Sequence, residues 1–305
     1  VYRTVIHISY YILYLTIGIG GMERLQERVA VVTGAASGIG RAMAVRFAAE
    51  GMRVALADVE AVPLAAAVEE IRASGGQAIG VETDVRFESQ VQALADAALA
   101  EFGAVHLVCN NAGVETGGPF ADIPSSAWKW VLDVNVLGVV HGCRVFLPLL
   151  RAQDEGHIVN TGSGASFSAQ LPTFAPYIAS KFAVLGLTES LDMELRAAGE
   201  NIGVTLLEPI ARTNMSRAER NRPVDVPSSE GVSPLRTAVM ASMGATDEGL
   251  ATTAADVADL VVRAVRERRF YALFQPQLCA GAVRTRLRWM ETGEPAEQWN
   301  LTSTG

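Results

Sequence analysis

Cysteine, histidine and net positive charge are all scarce in this chain, and each shortage closes off a class of function. Only three cysteines occur in 305 residues. Cys109, Cys143 and Cys279 are far apart, odd in number and set among apolar neighbours. They exclude a disulfide framework and predict buried thiols in a reducing compartment, hence a cytoplasmic protein. The four histidines, His7, His106, His141 and His157, show neither H-x-x-x-H nor Cys/His spacing, so no metal site is expected. The formal net charge of -8 argues against a nucleic-acid partner, because binders of a phosphate backbone gather positive charge. Two Arg-rich stretches near the C-terminus, "RAVRERRF" and "RTRLRW", are only locally basic, and the first reads as a solvated helix face.

Long apolar runs are rare as well. The stretch "VYRTVIHISYYILYLTIGIGG" (1–21) is apolar from Ile8 to Ile19. Ser9, Thr16 and Gly18 interrupt it, leaving it short of the roughly 20 residues that a bilayer-spanning helix needs. It has no basic n-region beyond Arg3 and His7, and "IGIGG" is a poor cleavage site, so it does not read as a signal peptide. We expect residues 1–21 to be an N-terminal extension outside the fold, with a natural beginning at Met22. A membrane-associating anchor is the alternative.

Apolar material, by contrast, is plentiful. Half of the residues are hydrophobic, enough for a full core. Short β-branched runs alternate with longer Ala-rich amphipathic ones. The strand candidates are "RVAVVT" (28–33), "RVALAD" (53–58), "QAIGVE" (77–82), "VHLVCN" (105–110), "GHIVNT" (156–161), "IGVTLLE" (202–208) and "RFYALF" (269–274). Their continuous apolar character fits strands covered on both faces, and the alternation predicts an α/β fold: a doubly wound parallel sheet of about seven strands. Without repeats or a low-complexity linker, residues 22–280 read as one domain and 281–305 as a tail. The stretch 214–250, rich in Pro, Ser, Gly and charge, is expected to be an irregular lid over the substrate.

Chemistry concentrates at the ends of these strands. The first strand runs into "TGAASGIGRAMA", where Gly34, Gly38 and Gly40, with Ser37 and Ile39 between them, would let backbone N–H groups and a helix N-terminus approach a pyrophosphate. Asp58 ends the second strand, where a carboxylate can accept hydrogen bonds from adenosine ribose hydroxyls. That favours NAD as the cofactor. A 2′-phosphate would be repelled, and no Arg or Lys stands at Ser37, Val59 or Glu60 to offset it. Further on, "YIASK" (177–181) places Tyr177 and Lys181 four apart, on one helix face.

Taken in order, "TGAASGIG" (33–40), "NNAG" (110–113), Asn135 in "DVNVLG", Ser163 in "IVNTGSGAS" and "YIASK" resemble the motif set of the short-chain dehydrogenases/reductases, over residues 26 to about 275. The resemblance implies a Rossmann fold and a nicotinamide-dependent oxidoreductase acting on a secondary alcohol or ketone. It makes Tyr177 the acid/base and gives Lys181 two tasks, tuning Tyr177 and holding the nicotinamide ribose. Ser163 becomes the hydrogen-bond partner of the substrate oxygen, and Asn135 the holder of a relay water. Hydride transfer needs a positioned acid/base, and a nearby ammonium lowers a phenol's pKa.

The resemblance also implies that Asp84 and Val85 meet the adenine ring, Asp84 alternatively capping the next helix. Asn111, Ala112 and Gly113 would lie beside the cofactor, while Asn110 would serve the sheet. After the sixth strand the chain reads "EPIARTN", where the family has Pro-Gly, so Pro209, Ile210 and Thr213 are carried over onto an altered nicotinamide loop. That departure keeps open a weakly active NAD-binding sensor or scaffold as the alternative. An NADP-dependent carbonyl reductase is disfavoured by Asp58. Phe167, Leu171 and Phe174 line an apolar pocket or belong to the core or an interface. Trp128, Trp130 and Phe182 are interface anchors of a homodimer or homotetramer, or else pack internally.

Overall fold

Small and β-branched side chains dominate the strands, and burial follows from them. β1 (Val29–Thr33), β2 (Arg53–Asp58), β4 (Leu107–Asn110), β5 (Gly156–Thr161) and β6 (Ile202–Glu208) are buried along nearly their whole length. β3 (Gln77–Glu82) and β7 (Tyr271–Leu273) are partly exposed and form the two edges. All pairings are parallel, in the order β3-β2-β1-β4-β5-β6-β7. The computed structural model describes residues 22, 24–153, 155–169, 171–209, 214–228, 233–249 and 252–294. The extension expected over 1–21 therefore lies outside the described residues.

Helices cover both faces of the sheet, as parallel strands require. On one face lie α1 (Gly38–Ala49), α2 (Ala61–Ala73) and α8 (Ala254–Arg266): α1 and α2 bury Phe47, Met43 and Ile71 over β1, β2 and β3, and α8 packs Val261 beside α1 at the β6–β7 end of the sheet. On the other lie α3 (Glu88–Phe102), α4 (Ser125–Leu132), α5 (Gly138–Ala152) and α6 (Ala175–Ala198), around Leu94, Trp130, Phe146 and Leu195. Trp130 is thus a core residue, not an interface anchor; Trp128 packs edge-on against Phe120, with ring centroids 5.6 Å apart. A π-helical turn, Asp133–Leu137, joins α4 to α5. The continuous run Ser125–Ala152 is long and apolar enough to cross a membrane, but 56% of its most apolar stretch is buried inside the fold.

Two expectations change in the C-terminal part. The segment 214–250 contains a 3-10 helix, Asn214–Asn221, and the α-helix α7 (Pro234–Gly249). Its polar and glycine content hides a good helix start: Ser233 Oγ accepts from the backbone N–H of Arg236 at 3.1 Å, and Pro234 follows as the first helical residue. The boundary expected at residue 280 falls inside α9 (Pro276–Thr292). Residues 281–292 continue the fold there: Ala282 packs beside buried Cys279 and Phe167, and Arg286 donates to the Phe167 carbonyl at 2.6 Å.

Candidate active site

Between β1 and β4 the strand order reverses, so the loops leaving these strands diverge and open a crevice at the sheet's C-terminal edge. The glycine-rich turn lies on one side of it. Gly34 and Gly38 have φ of 65° and 56°, which residues with a Cβ rarely adopt. At Gly40 a Cβ would overlap the Gly34 carbonyl oxygen and sit 2.7 Å from Asn111 Nδ2, so α1 can start this close to β1 only with glycine there. Ser37 occupies the N-cap position of α1 without a side-chain capping bond, and Ile39 is buried in the first turn. Ala35 and Ala36 donate their N–H groups to β2, to the Ala57 carbonyl and Asp58; a glycine turn leading into a helix N-terminus fits a pyrophosphate.

Asp58 stands at the end of β2, beside that turn. Its Oδ2 accepts from Ala36 N at 3.0 Å and its Oδ1 from Glu60 N at 3.1 Å. Burial raises its pKa and these two bonds pull it back. After β3, Asp84 pairs with Arg86, the shortest contact being 2.6 Å. It does not cap α3, whose N-cap is Phe87. Val85 is buried, its carbonyl 2.8 Å from His141 Nδ1. Beyond β4, Asn111 donates through Nδ2 to the Thr33 carbonyl at 3.0 Å, and Thr33 Oγ1 receives the N–H groups of Asn111 and Ala112. This loop, which includes Gly113, therefore braces the glycine turn. Asn110 instead reaches across the sheet to Asn160 Oδ1 at 2.9 Å.

The opposite side of the crevice carries the proton-transfer candidates. Ser163 follows β5 and caps a short 3-10 helix, Gly164–Ser166; its N–H is received by the fully buried Ser166 Oγ at 3.2 Å. Tyr177 and Lys181 project from α6, one turn apart. Tyr177 shares a hydrogen bond with Ser163. Lys181 is buried, donates from Nζ to the Thr161 carbonyl at 2.8 Å, and lies 5.6 Å from the Tyr177 ring centre. The expected depression of the phenol's pKa needs the positive charge of the oxidised nicotinamide as well as Lys181, and the chain alone does not produce it. Burial pushes Tyr177 up to about 12, opposed by the Ser163 bond and reinforced by the carboxylates of Glu115 and Glu208. Burial also lowers Lys181 to about 8. Desolvation is thus the largest influence on both groups.

Asn135 sits on the π-helical turn, nearly inaccessible. Its amide holds both backbone groups of Val114, with bonds of 2.8 and 2.9 Å, and donates to Ser180 Oγ at 3.0 Å. It so ties the β4 loop to α6, between Tyr177 and Lys181 in sequence. Pro209 follows β6, half-buried, while Ile210 and Thr213 lie outside the described residues. Phe167 and Phe174 are both buried.

Three residues near the site carry no sequence signal of their own. Arg236 Nη2 donates to both carboxylate oxygens of Glu115, at 2.8 and 3.0 Å, in an ion pair whose side chains are only 5% and 7% exposed. Arg236 also lies over the Phe174 ring and donates to the Thr173 carbonyl at 3.3 Å. Glu208, fully buried at the end of β6, accepts from Phe274 N at 3.2 Å; burial pushes its pKa up to about 6. Arg236 falls in the stretch read as an irregular lid, 121 residues from Glu115, and only folding pairs them.

Comparisons with known proteins agree with this fold. The family model for short chain dehydrogenases matches residues 28–223. The 1-deoxy-11-beta-hydroxypentalenate dehydrogenase of Streptomyces avermitilis is 38% identical over 251 residues, 81% of this chain and 84% of that protein. Among solved structures, a short chain dehydrogenase/reductase from Burkholderia phymatum in complex with NAD is 43% identical, covers 92% of this chain and 99% of its own, and superimposes with a TM-score of 0.86. A metagenomic short-chain oxidoreductase in complex with NADP is 29% identical, covering 81% of this chain and 95% of its own at a TM-score of 0.63. The chain belongs to the short-chain dehydrogenase family, whose members are nicotinamide-dependent oxidoreductases.

Proposed function

We propose that the protein is an NAD-dependent dehydrogenase that interconverts a secondary alcohol and its ketone. The observation that carries this reading is the convergence of Ser163, Tyr177 and Lys181 on one point of the crevice, across from a glycine turn and Asp58. Gly34, Ser37, Gly38, Ile39 and Gly40 would hold the pyrophosphate and Asp58 the adenosine ribose. Asp84 and Val85 would flank the adenine, and Asn111, Ala112 and Gly113 the middle of the dinucleotide. Lys181 and Tyr177, with Pro209, Ile210 and Thr213, would take the nicotinamide end. Bound there, the nicotinamide supplies the hydride acceptor or donor.

The chain's own residues would handle the proton. In the reducing direction Tyr177, protonated at neutral pH, gives its proton to the substrate oxygen while Ser163 Oγ stabilises the charge developing there. In the oxidising direction Tyr177 must first lose that proton, and the Lys181 ammonium favours the phenolate. Asn135 acts by position, fixing the Val114 loop against α6. Phe167 and Phe174 are core residues, so a substrate with an apolar body rests on the sequence alone. Three free thiols support a cytoplasmic setting, and the exposed apolar residues Val283, Leu287 and Met290 of α9 support a homodimer or homotetramer.

The test is NADH formation by the full chain on a panel of secondary alcohols, with NAD and NADP in parallel and Tyr177→Phe as control. Turnover with NAD that vanishes in the variant is expected. Tight NADH binding without turnover would favour a dinucleotide sensor instead.

A further inference from the structure

The 3-10 helix of the lid runs from the loop after β4 to the end of β2. At its start, Met215 lies 3.7 Å from where a Cβ on Gly113 would stand, on the β4 side. In its middle, Glu219 accepts from the buried Thr116 hydroxyl at 2.8 Å and pairs with Arg222 at 2.9 Å. Its far end reaches β2. Arg220 there donates to Glu60 through Nη2 at 2.8 Å and through Nε at 3.1 and 3.2 Å, and Asn221 adds a contact to the same carboxylate at 3.3 Å. Glu60 is two residues beyond Asp58, and its own N–H is bound to the Asp58 carboxylate at 3.1 Å. Arg220, 160 residues further along the chain, is thus separated from the ribose-binding candidate by one carboxylate. No basic residue adjacent in sequence to the glycine turn or to Asp58 does this.

A guanidinium beside the strand-end acid is what accommodates a 2′-phosphate in NADP-binding Rossmann folds. We propose that Glu60 and Arg220 form a second cofactor-selecting couple: Glu60 engages the guanidinium that the lid brings to β2 and so denies it to a 2′-phosphate. Discrimination against NADP then comes from two carboxylates, Asp58 by repulsion and Glu60 by occupying the cation. The inference rests on dinucleotide binding as proposed above, and it makes Arg220 a latent phosphate ligand.

The test is titration of NADH and NADPH into the full-length protein, followed by calorimetry at fixed ionic strength. Asp58→Asn and Glu60→Gln together keep shape and remove both charges. NADPH affinity is expected to rise by about tenfold or more in this double variant, the gain of one charge-assisted contact. Adding Arg220→Gln should abolish the gain, whereas Arg220→Gln in the wild-type background should change NADPH affinity by no more than about threefold, since Glu60 already engages that charge. A gain that survives Arg220→Gln, or no gain while NADH still binds, overturns the couple. If no variant binds either nucleotide, it is the dinucleotide reading itself that fails.

Discussion

At Tyr177 two needs compete. The phenol must stay partly buried to meet a substrate oxygen away from bulk water, and burial pushes its pKa to about 12. Ketone reduction, which needs the protonated phenol, should therefore be nearly flat around neutral pH. Alcohol oxidation, which needs the phenolate beside a charged Lys181, should climb from about pH 6 to about pH 8 and level off above it, where Lys181 loses its proton. A flat oxidation profile over that range would remove Tyr177 as the titrating group. Tyr177→Phe should lower turnover by roughly 10²–10⁴-fold with dinucleotide affinity almost unchanged. At Asp58, replacement by Ala should weaken NAD more than NADP in paired binding titrations; equal weakening would contradict the ribose assignment.

The elements that place these residues are unequal in how openly the chain declares them. α1 and β1 follow from "VAVVTGAASGIGRAMA", and α8 from its Thr253–Asp256 capping box, with bonds of 2.8 and 3.2 Å. α7 was masked by its polar composition, and among the interactions that hold it is one that local pattern does not encode, the Glu115–Arg236 pair. Burial keeps the Glu115 carboxyl above its ordinary pKa even though Arg236 opposes the shift. Replacing Arg236 by Met strands that acid in the interior, and urea denaturation should show a loss of about 3–5 kcal/mol. Adding Glu115→Gln should recover most of it. If the single variant is as stable as the parent, the lid is not latched by this pair.

Across the whole molecule, two buried histidines link stability to pH. His106 accepts the Val29 N–H at 3.1 Å and is lowered to about 4 by burial and by Arg28 and Arg53; His157, fully buried beside Thr205, is lowered to about 3. Both are neutral in the folded state, whereas an unfolded histidine takes up a proton near pH 6.5. Their contribution is complete above pH 6.5 and is lost as pH falls toward 4 and 3. Each supplies a slope of up to about 1.4 kcal/mol per pH unit. Glu208 opposes them. Its folded pKa of about 6 lies above the ordinary value, so the native state binds that proton first and offsets one histidine below pH 6. Unfolding free energy should fall steadily from about pH 6.5 to about pH 4.5, and His157→Asn should flatten the curve. An unchanged slope would mean that His157 is protonated in the native protein.

All seven strands, the parallel winding and the glycine turn were legible in the sequence, because each is written in local residue pattern: continuous apolar runs, glycine where φ is positive, an acid at a strand end. So were Ser163, Tyr177 and Lys181 as candidates, since their spacing is set by one strand end and one helix. What the sequence could not decide was every relation between distant segments. Arg236 on Glu115, Arg220 on Glu60, Trp130 turned into the core and α9 closing over Phe167 depend on which surfaces meet once helices cover the sheet. Even the pKa shifts of Tyr177 and Lys181 arise there, because desolvation is a property of the assembled interior and not of a motif.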